Sequence, residues 1–347
     1  MIKLAIVGTG GMAKQHAESY AKIPDCQVVA VCDVDYAKAQ AFAKNHAIAK
    51  AYGDLAEMLA DCQFDGISNV TPDRFHKPVT LQAIAAGKHV LCEKPLAVNA
   101  ADAYEMATAA STAGLINMVN LSYRDAPAIQ HAKTLIQAGD IGAIKHIEAS
   151  YLQSWLVSNQ WGDWKSEDMW LWRLSSEHGS KGVLGDVGIH ILDFACFPVG
   201  EASEVYCQLA CFDKAPDNKI GNYTLDANDS ALIQVKYANG AMGSIHTTRW
   251  ASGQINSLRL RIYGDKGGLE VDLDKSLNSL QICRGDNVHN AVWETIECPA
   301  TPNNYQRFVN SIKTGINDQP DFNHGAKMQT MIDGCFESDR LKATIKL

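Results

Sequence analysis

The first 33 residues contain the pattern that most constrains how this chain folds. A short apolar run leads into a G-x-G-x-x-A motif made by Gly8, Gly10 and Ala13, and a second apolar run ends in Asp33. Gly8 allows a tight turn, Gly10 lets the backbone approach a pyrophosphate, and the small Ala13 lets the following helix pack on the strand. This order of strand, glycine turn, helix and acid predicts a Rossmann domain that binds a dinucleotide at a helix N-terminus.

The distance of Asp33 from the glycines identifies it as the acid that accepts hydrogen bonds from the adenosine ribose. The same carboxylate repels a 2′-phosphate, so the sequence favours NAD, while Lys38 one turn later keeps NADP as the alternative. The residues predicted to contact the cofactor in this part of the chain are Gly8, Gly10, Gly11, Met12 and Asp33.

Length and charge limit the class of protein. A chain of 347 residues is long for one core, so we expect two domains. The net charge of -8 and the lack of basic runs argue against nucleic acid or an anionic membrane as partner and leave small molecules. The ten cysteines form no C-x-x-C motif, and the sequence has neither a signal-peptide pattern nor a membrane-spanning run, so we expect a cytoplasmic protein with reduced thiols.

Two apolar strands of the first domain are followed by polar residues. One strand precedes Thr71, Pro72 and His76, and the next precedes Glu93 and Lys94. The carboxyl ends of strands form the ligand crevice of an open α/β sheet, so all five are predicted to contact the cofactor. Lys94 is also expected to act in the chemistry, because a desolvated ammonium near a nicotinamide stabilises a developing alkoxide.

Three segments resemble the Gfo/Idh/MocA family, which includes glucose-fructose oxidoreductase and inositol dehydrogenase. They are the glycine turn, Val70-Thr71-Pro72 with His76, and the run from Gly87 to Leu96 that contains Glu93-Lys94-Pro95. The resemblance covers most of the chain and places the link to the second domain at Tyr123, which implies domains at 1–122 and 123–347. It implies an α/β protein: an N-terminal Rossmann domain with a doubly wound parallel sheet, then an α+β domain with a large open, mainly antiparallel sheet. It also implies an NAD(P)-dependent dehydrogenase that oxidises hydroxyls of sugars, cyclitols or their derivatives.

The second domain contains a helix-like segment in which Asp186, His190 and Asp193 are spaced to share one face. The residues between them are apolar, so the polar stripe needs partners or a ligand cavity. In the resembling family a D-x-x-x-H pair is catalytic with the lysine of E-K-P, which implies catalytic roles for Lys94, Asp186 and His190. His190 would take the hydroxyl proton, Lys94 would stabilise the alkoxide and Asp186 would orient the imidazole. Asp193 is expected to anchor the helix.

An aromatic segment before this helix contains five of the seven tryptophans. Tryptophan rings stack on the C–H faces of sugars, and arginines hydrogen-bond hydroxyls or carboxylates. At least half of these tryptophans are expected to lie in the core or at a subunit interface. The residues predicted to contact the substrate are Arg124, Trp155, Trp172, Arg173 and His190.

Residues after Pro198 alternate with a period of two around an Asn239-Gly240 turn, which predicts a large antiparallel sheet with an outer face that needs a cover. Because such sheets pack together in the resembling family, a homodimer or homotetramer is expected.

Other functions stay open as alternatives. One is an NAD-dependent glycoside hydrolase that acts by transient oxidation and elimination, and another is a dinucleotide sensor without turnover. A metal-dependent hydrolase built on Asp186, His190 and Asp193 ranks last, because further ligands are missing and the glycine turn would be unexplained, so no metal is expected. The sequence does not identify the substrate.

Overall fold

The computed structural model describes residues 1–347 and divides into two compact units. The first unit comprises residues 1–122 and 302–329, and the second comprises residues 123–301 and 330–347. None of the helices combines the length and the apolar character that a membrane span requires.

The strands, in chain order, are β1 (Ile2–Val7), β2 (Cys26–Cys32), β3 (Lys50–Tyr52), β4 (Gly66–Asn69), β5 (His89–Cys92), β6 (Asn117–Val119), β7 (Ile144–Gln153), β8 (Ala202–Ala210), β9 (Lys219–Ile220), β10 (Tyr223–Thr224), β11 (Ser230–Tyr237), β12 (Met242–Thr248), β13 (Asn256–Gly264), β14 (Gly267–Asp272), β15 (Ser279–Arg284), β16 (Glu294–Glu297) and β17 (Ile345–Lys346). The α-helices are α1 (Ala13–Ala21), α2 (Tyr36–Asn45), α3 (Leu55–Asp61), α4 (His76–Ala85), α5 (Ala100–Thr112), α6 (Pro127–Gln137), α7 (Asp168–Leu171), α8 (Ile189–Val199), α9 (Asn287–Asn290), α10 (Asn304–Thr314) and α11 (Phe322–Leu341).

The first unit contains a six-stranded sheet in the order β3-β2-β1-β4-β5-β6, and every neighbouring pair is parallel. Most residues of β1, β4 and β5 are buried, as expected for short strands that are covered on both faces. The strand order reverses direction between β1 and β4, and in open α/β sheets the ligand crevice lies at that reversal, at the carboxyl ends of the strands. The predicted doubly wound Rossmann sheet is confirmed.

Residues 302–329, which fall in the expected second domain, group with the first unit. The reason is a shared core: Tyr305 and Phe308 of α10 pack in one buried cluster with Leu4 of β1 and Leu91 of β5. The apolar face of α10 is thus the cover for this part of the parallel sheet. No local feature of the sequence around α10 indicates which sheet it covers.

The second unit is built on a nine-stranded sheet in the order β16-β15-β14-β13-β7-β12-β11-β8-β17. All neighbouring strands are antiparallel except β12 and β7, which are parallel. The predicted large, mainly antiparallel sheet is confirmed. Helices α6 and α8 pack on each other, and α8 also packs on β7, β12 and β13 at the centre of the sheet. This central position fixes the residues of α8 with respect to the middle strands.

Candidate active site

The glycine turn between β1 and α1 has the geometry that a bound phosphate requires. Gly8 has a φ of +94°, and a Cβ atom at this position would lie 2.7 Å from the carbonyl oxygen of Val70, so only glycine fits. A Cβ atom at Gly10 or Gly11 would meet nothing within 4 Å, and both residues are exposed together with Met12. The turn therefore presents open backbone at the N-terminus of α1, where backbone N–H groups bind anions.

Asp33 lies directly after β2 and is held by neighbouring donors. Its Oδ2 atom accepts hydrogen bonds from the backbone N–H of Thr9 at 2.8 Å and from Thr9 Oγ1 at 2.7 Å. Its Oδ1 atom accepts from the backbone N–H of Asp35 at 3.0 Å. Partial burial raises the pKa of Asp33, but these hydrogen bonds and the charge of Lys38 outweigh it and lower the pKa below its usual value. Asp33 is therefore a fixed anion beside the glycine turn, and this fits a ribose diol better than a phosphate.

His76 joins the two loops that follow β4 and β5. Its buried imidazole lies 2.8 Å from the carbonyl oxygen of Thr71 through Nε2 and 2.7 Å from the carbonyl oxygen of Pro95 through Nδ1. Both ring nitrogens are thus used inside the protein. The structure places His76 behind the loops, where it sets their spacing, while Thr71 and Pro72 retain accessible surface.

Glu93 is buried and fixes the backbone on which Lys94 lies. Its Oε1 atom lies 2.7 Å from His16 Nε2 and accepts a hydrogen bond from Asn120 at 2.7 Å. Its Oε2 atom accepts from the backbone N–H of Lys94 at 3.3 Å. Burial raises the pKa of Glu93, yet the hydrogen bonds and charges of His16, Asn120 and Lys94 lower it to about 2. The Glu93 carboxylate thus holds the backbone at the end of β5, and the Lys94 side chain that follows is half-buried.

The segment that carries Asp186 and His190 is less regular than the sequence predicts. Residues Leu184–Gly188 form a π-helical turn, and α8 begins at Ile189. A π-turn inserts about one extra residue into a helix and often occurs at functional sites. Asp186 lies in this turn, whereas His190 and Asp193 lie on α8, and the two acids bind different arginines. The predicted common stripe is therefore divided into two charge pairs.

Arg124, predicted to contact the substrate, is instead bound to Asp193. Its Nε atom donates to Asp193 Oδ2 at 3.0 Å, and its Nη2 atom donates to Oδ1 in the same fork-like pair. The Arg124 side chain is 3% exposed, and its guanidinium lies 4.5 Å from the centre of the Phe197 ring. This pair anchors α8 to the segment before α6, which agrees with the anchoring role expected for Asp193.

The tryptophans predicted to bind the substrate have different environments. Trp155 is 3% exposed and belongs to a core cluster with Trp164 and Leu174, so its ring is not a surface for a sugar. Trp172 is 38% exposed, and the Arg173 guanidinium lies 4.7 Å from its ring centre. Arg173 also approaches Asp186, with 3.7 Å between Nε and Oδ2. Of the aromatic segment, Trp172 and Arg173 are the predicted residues that remain accessible.

Two residues beside this segment were not predicted. Arg249 donates a hydrogen bond from Nη2 to Asp186 Oδ2 at 3.0 Å, and the Tyr123 ring packs edge-on against the His190 imidazole at 4.9 Å between ring centres. Tyr123 Oη lies 2.8 Å from Tyr151 Oη, within a polar network on β7. A signal for Arg249 exists in the sequence: it continues the inward alternation of Ile245 and Thr247, where a cation requires a buried partner.

No group of three or more His, Cys, Asp or Glu side chains is arranged to hold a metal ion.

The parallel sheet and the glycine turn define a dinucleotide-binding protein of the Rossmann class. Family models extend this result: the oxidoreductase family GFO_IDH_MocA, with an NAD-binding Rossmann fold, matches residues 2–121, and the GFO/IDH/MocA C-terminal domain matches residues 129–270. The chain belongs to the Gfo/Idh/MocA family of NAD-binding oxidoreductases. The predicted family and cofactor class are confirmed.

Individual relatives agree with this assignment. The chain is 28% identical to the levoglucosan dehydrogenase of Pseudarthrobacter phenanthrenivorans over 79% of this chain and 74% of the relative. It is 30% identical to the D-glucoside 3-dehydrogenase of Escherichia coli over 77% of this chain and 76% of the relative. A solved structure of levoglucosan dehydrogenase in complex with NADH and L-sorbose matches with a TM-score of 0.89 at 25% identity, over 99% of this chain and 98% of that chain.

Replacement of Arg124 tests the structural role of its ion pair. Arg124→Met leaves the buried Asp193 without its cation, which is expected to lower the free energy of unfolding by about 3–5 kcal/mol. Urea denaturation followed by tryptophan fluorescence measures the change, because all seven tryptophans lie in the second unit. Arg259→Met is the matched control: Arg259 binds the buried Asp272, but the Arg259 side chain is 41% exposed and Lys275 also approaches Asp272 Oδ2 at 3.6 Å, so the loss should be smaller. Equal losses in the two variants would contradict the assignment.

Proposed function

We propose that this protein oxidises a hydroxyl group of a sugar, cyclitol or sugar derivative with NAD as the hydride acceptor, and catalyses the reverse reduction with the same residues. The observation that carries the proposal is the imidazole of His190 at the start of α8, one π-turn from an arginine-bound Asp186, in a chain of the NAD-binding oxidoreductase family. The named activities of the relatives, on levoglucosan and D-glucosides, support a carbohydrate as the substrate class.

The proposed roles follow from the chemistry of each side chain. His190 accepts the hydroxyl proton, because an imidazole titrates near neutral pH and acts as a general base in its neutral form. Asp186 orients the imidazole and the substrate hydroxyl, and Lys94 stabilises the negative charge that develops on the substrate oxygen. The nicotinamide ring supplies, when bound, the acceptor for the hydride from the carbinol carbon.

Residues of the first unit are proposed to bind the dinucleotide. The open backbone of Gly10 and Gly11 suits the pyrophosphate, and the ionised Asp33 suits the ribose hydroxyls. The half-buried Thr71 and exposed Pro72 follow β4 at the edge of the sheet where ligands bind. Glu93 and His76 are proposed to act indirectly, by fixing the loops that contain Lys94 and Thr71.

Substrate contacts are proposed for Trp172 and Arg173. The Trp172 ring is accessible for stacking on a sugar, and Arg173 presents a guanidinium next to Asp186. Trp155 and Arg124 are proposed to stabilise the structure instead, because both are buried and already have partners.

A panel of polyols, hexoses, anhydrosugars, glycosides and sugar acids, scored by NADH absorbance, tests the activity. Wild-type protein should form NADH with at least one member. Lys94→Ala should retain NAD binding, measured by calorimetry, and lose turnover, because the glycine turn and Asp33 hold the cofactor independently of Lys94. Cleavage of a glycoside without net NADH formation would contradict the dehydrogenase proposal and support the glycoside hydrolase. Unchanged kcat in Lys94→Ala would remove this lysine from the mechanism.

The role of His190 predicts a pH dependence. The imidazole must be neutral to accept a proton, so the oxidation rate should rise with pH through the apparent pKa of the enzyme–substrate complex. His190→Asn should abolish this rise and lower kcat on the order of 10²-fold, which is the usual share of a positioned general base. His289→Asn, on an exposed part of the second unit, is the control and should keep the wild-type profile. A pH profile that persists in His190→Asn would refute the assignment.

Cofactor preference depends on Asp33. Asp33→Ala removes the repulsion against a 2′-phosphate and the acceptor for the ribose hydroxyls, so the ratio of kcat/KM for NAD to that for NADP should fall. A fall of about tenfold corresponds to roughly 1.4 kcal/mol of differential binding. Lys38→Ala is the companion variant, because Lys38 is the nearby cation that could attract a phosphate. A wild-type enzyme that prefers NADP would contradict the proposed role of Asp33.

We also propose that the chain forms a homodimer or homotetramer through the outer face of the nine-stranded sheet. Leu232 on β11 and Met242 on β12 are 59% and 61% exposed on that face, while the residues that alternate with them are buried. Leu232 pairs with His246 and Met242 pairs with Lys236, so the two apolar side chains share one face of neighbouring strands, and exposed apolar side chains on a sheet favour association. Sedimentation velocity of the purified chain measures the oligomeric state.

A further inference from the structure

Arg249 is the largest side chain that is completely buried in this protein. It follows the end of β12 and contacts two other parts of the second unit. Its Nη2 atom donates to Asp186 Oδ2 on the π-turn at 3.0 Å, and its Nη1 atom donates to the carbonyl oxygen of Arg173 at 3.1 Å. Its guanidinium lies 4.8 Å from the centre of the Trp155 ring. The Arg249 side chain thus connects the π-turn, the aromatic segment and the sheet.

Burial of a guanidinium is unfavourable unless a charge partner and hydrogen bonds compensate it. Desolvation lowers the pKa of Arg249, and the charges of Asp186 and Asp229 oppose this effect. The Nε atom of Arg249 has no hydrogen-bond partner within the protein, so even its hydrogen bonding is incomplete. A purely structural role at this position could be filled by an apolar side chain at lower cost. The role of the Arg249 cation is therefore to be sought in the acid that it binds, Asp186.

Asp186 differs from the other acids bound to buried cations because it keeps access to solvent. The Asp186 side chain is 29% exposed, whereas Asp193 and Asp229 are 2% and 0% exposed. Its Oδ2 atom is bound from the buried side by Arg249, and Arg173 Nε approaches the same atom at 3.7 Å. Because Arg249 binds the carboxylate from the buried side, the accessible side of Asp186 has a fixed orientation in which it can contact a ligand.

We infer that Arg249 is a positioning residue, which aims the Asp186 carboxylate so that it orients the reacting imidazole and hydroxyl. This inference rests on the proposed function of Asp186 and His190. Arg249 acts through Asp186 and does not contact the substrate, because no part of its side chain is exposed.

Several charged groups surround this pair and enter its pH dependence. Three residues lie near Asp186: Arg249 at the end of β12, Arg173 in the aromatic segment and Tyr151 on β7. Arg249 is also influenced by Asp229, which is paired with Lys214 at 2.8 Å. Loss of the Arg249 cation removes this direct hydrogen bond to Asp186, while the longer contact with Arg173 remains. The pKa of Asp186 should therefore rise when Arg249 is replaced.

The test is a double-mutant cycle of Arg249→Met and Asp186→Asn, measured as kcat with the best substrate of the polyol and sugar panel. If Arg249 acts through Asp186, Arg249→Met should lower kcat by about 10²-fold, as a misaligned catalytic group does, and leave KM for NAD unchanged. The double variant should then be no slower than Asp186→Asn alone. Arg259→Met, which breaks an Arg–Asp pair in the same sheet, is the control and should keep kcat. Multiplicative losses in the double variant, or wild-type kcat in Arg249→Met, would overturn the inference.

Two further measurements keep the test decisive. If Arg249→Met does not fold, Arg249→Lys takes its place in the same cycle, because lysine keeps the charge and loses the fork geometry. A titration of the Asp186 carboxyl by ¹³C NMR in the Arg249 variant requires no substrate: a raised midpoint supports the inference, and an unchanged midpoint overturns it. A protein that oxidises no member of the panel would refute the proposed function, while the NMR titration would still decide the relation between Arg249 and Asp186.

Discussion

Two buried arginines neutralise the two acids on either side of His190 in the sequence, and the geometry of the second unit depends on both pairs. Arg124 binds Asp193, and Arg249 binds Asp186. A carboxylate among the apolar residues of a central helix is stable only with a charge partner and satisfied hydrogen bonds. Because other elements supply these cations, α8 and the π-turn before it can carry an imidazole and two acids while α8 packs on the middle of the sheet.

In the first unit, buried polar side chains also have hydrogen-bond partners from other elements. Glu93 is buried, but His16 and Asn120 bind its carboxylate and hold the strand end that contains Lys94. His76 connects the loops after β4 and β5 through two carbonyl oxygens. Lys94 and Thr71, which have accessible surface, are thus supported by buried polar groups that bind other parts of the first unit. Such supporting contacts position a binding surface without forming part of it.

The accuracy of prediction from sequence depends on how local each signal is. The glycine turn, the acid after β2 and the alternating strands of the second unit each depend on a few neighbouring residues, and the predicted fold class and family are confirmed. Arg124 and Trp155 were assigned to the substrate because their residue types suit sugars. The structure places both in the core: Arg124 binds Asp193, which is distant in sequence, and Trp155 clusters with Trp164 and Leu174 of its own segment. Residue type alone does not reveal which partner a guanidinium has.

The sequence by itself determined which chemical groups are available. They are an acid at the interval that a ribose requires, a glycine at the tight turn after the first apolar run, and a D-x-x-x-H pattern in an apolar segment. These three features depend on short-range sterics and periodicity, which can be recognised from neighbouring residues alone. Tertiary structure alone decided which residues are partners: that α10 covers the parallel sheet, that Asp186 lies in a π-turn before α8, and that Arg249 binds this acid. The reason is that burial and charge pairing are set by packing between distant segments, and no local pattern records which segments will meet.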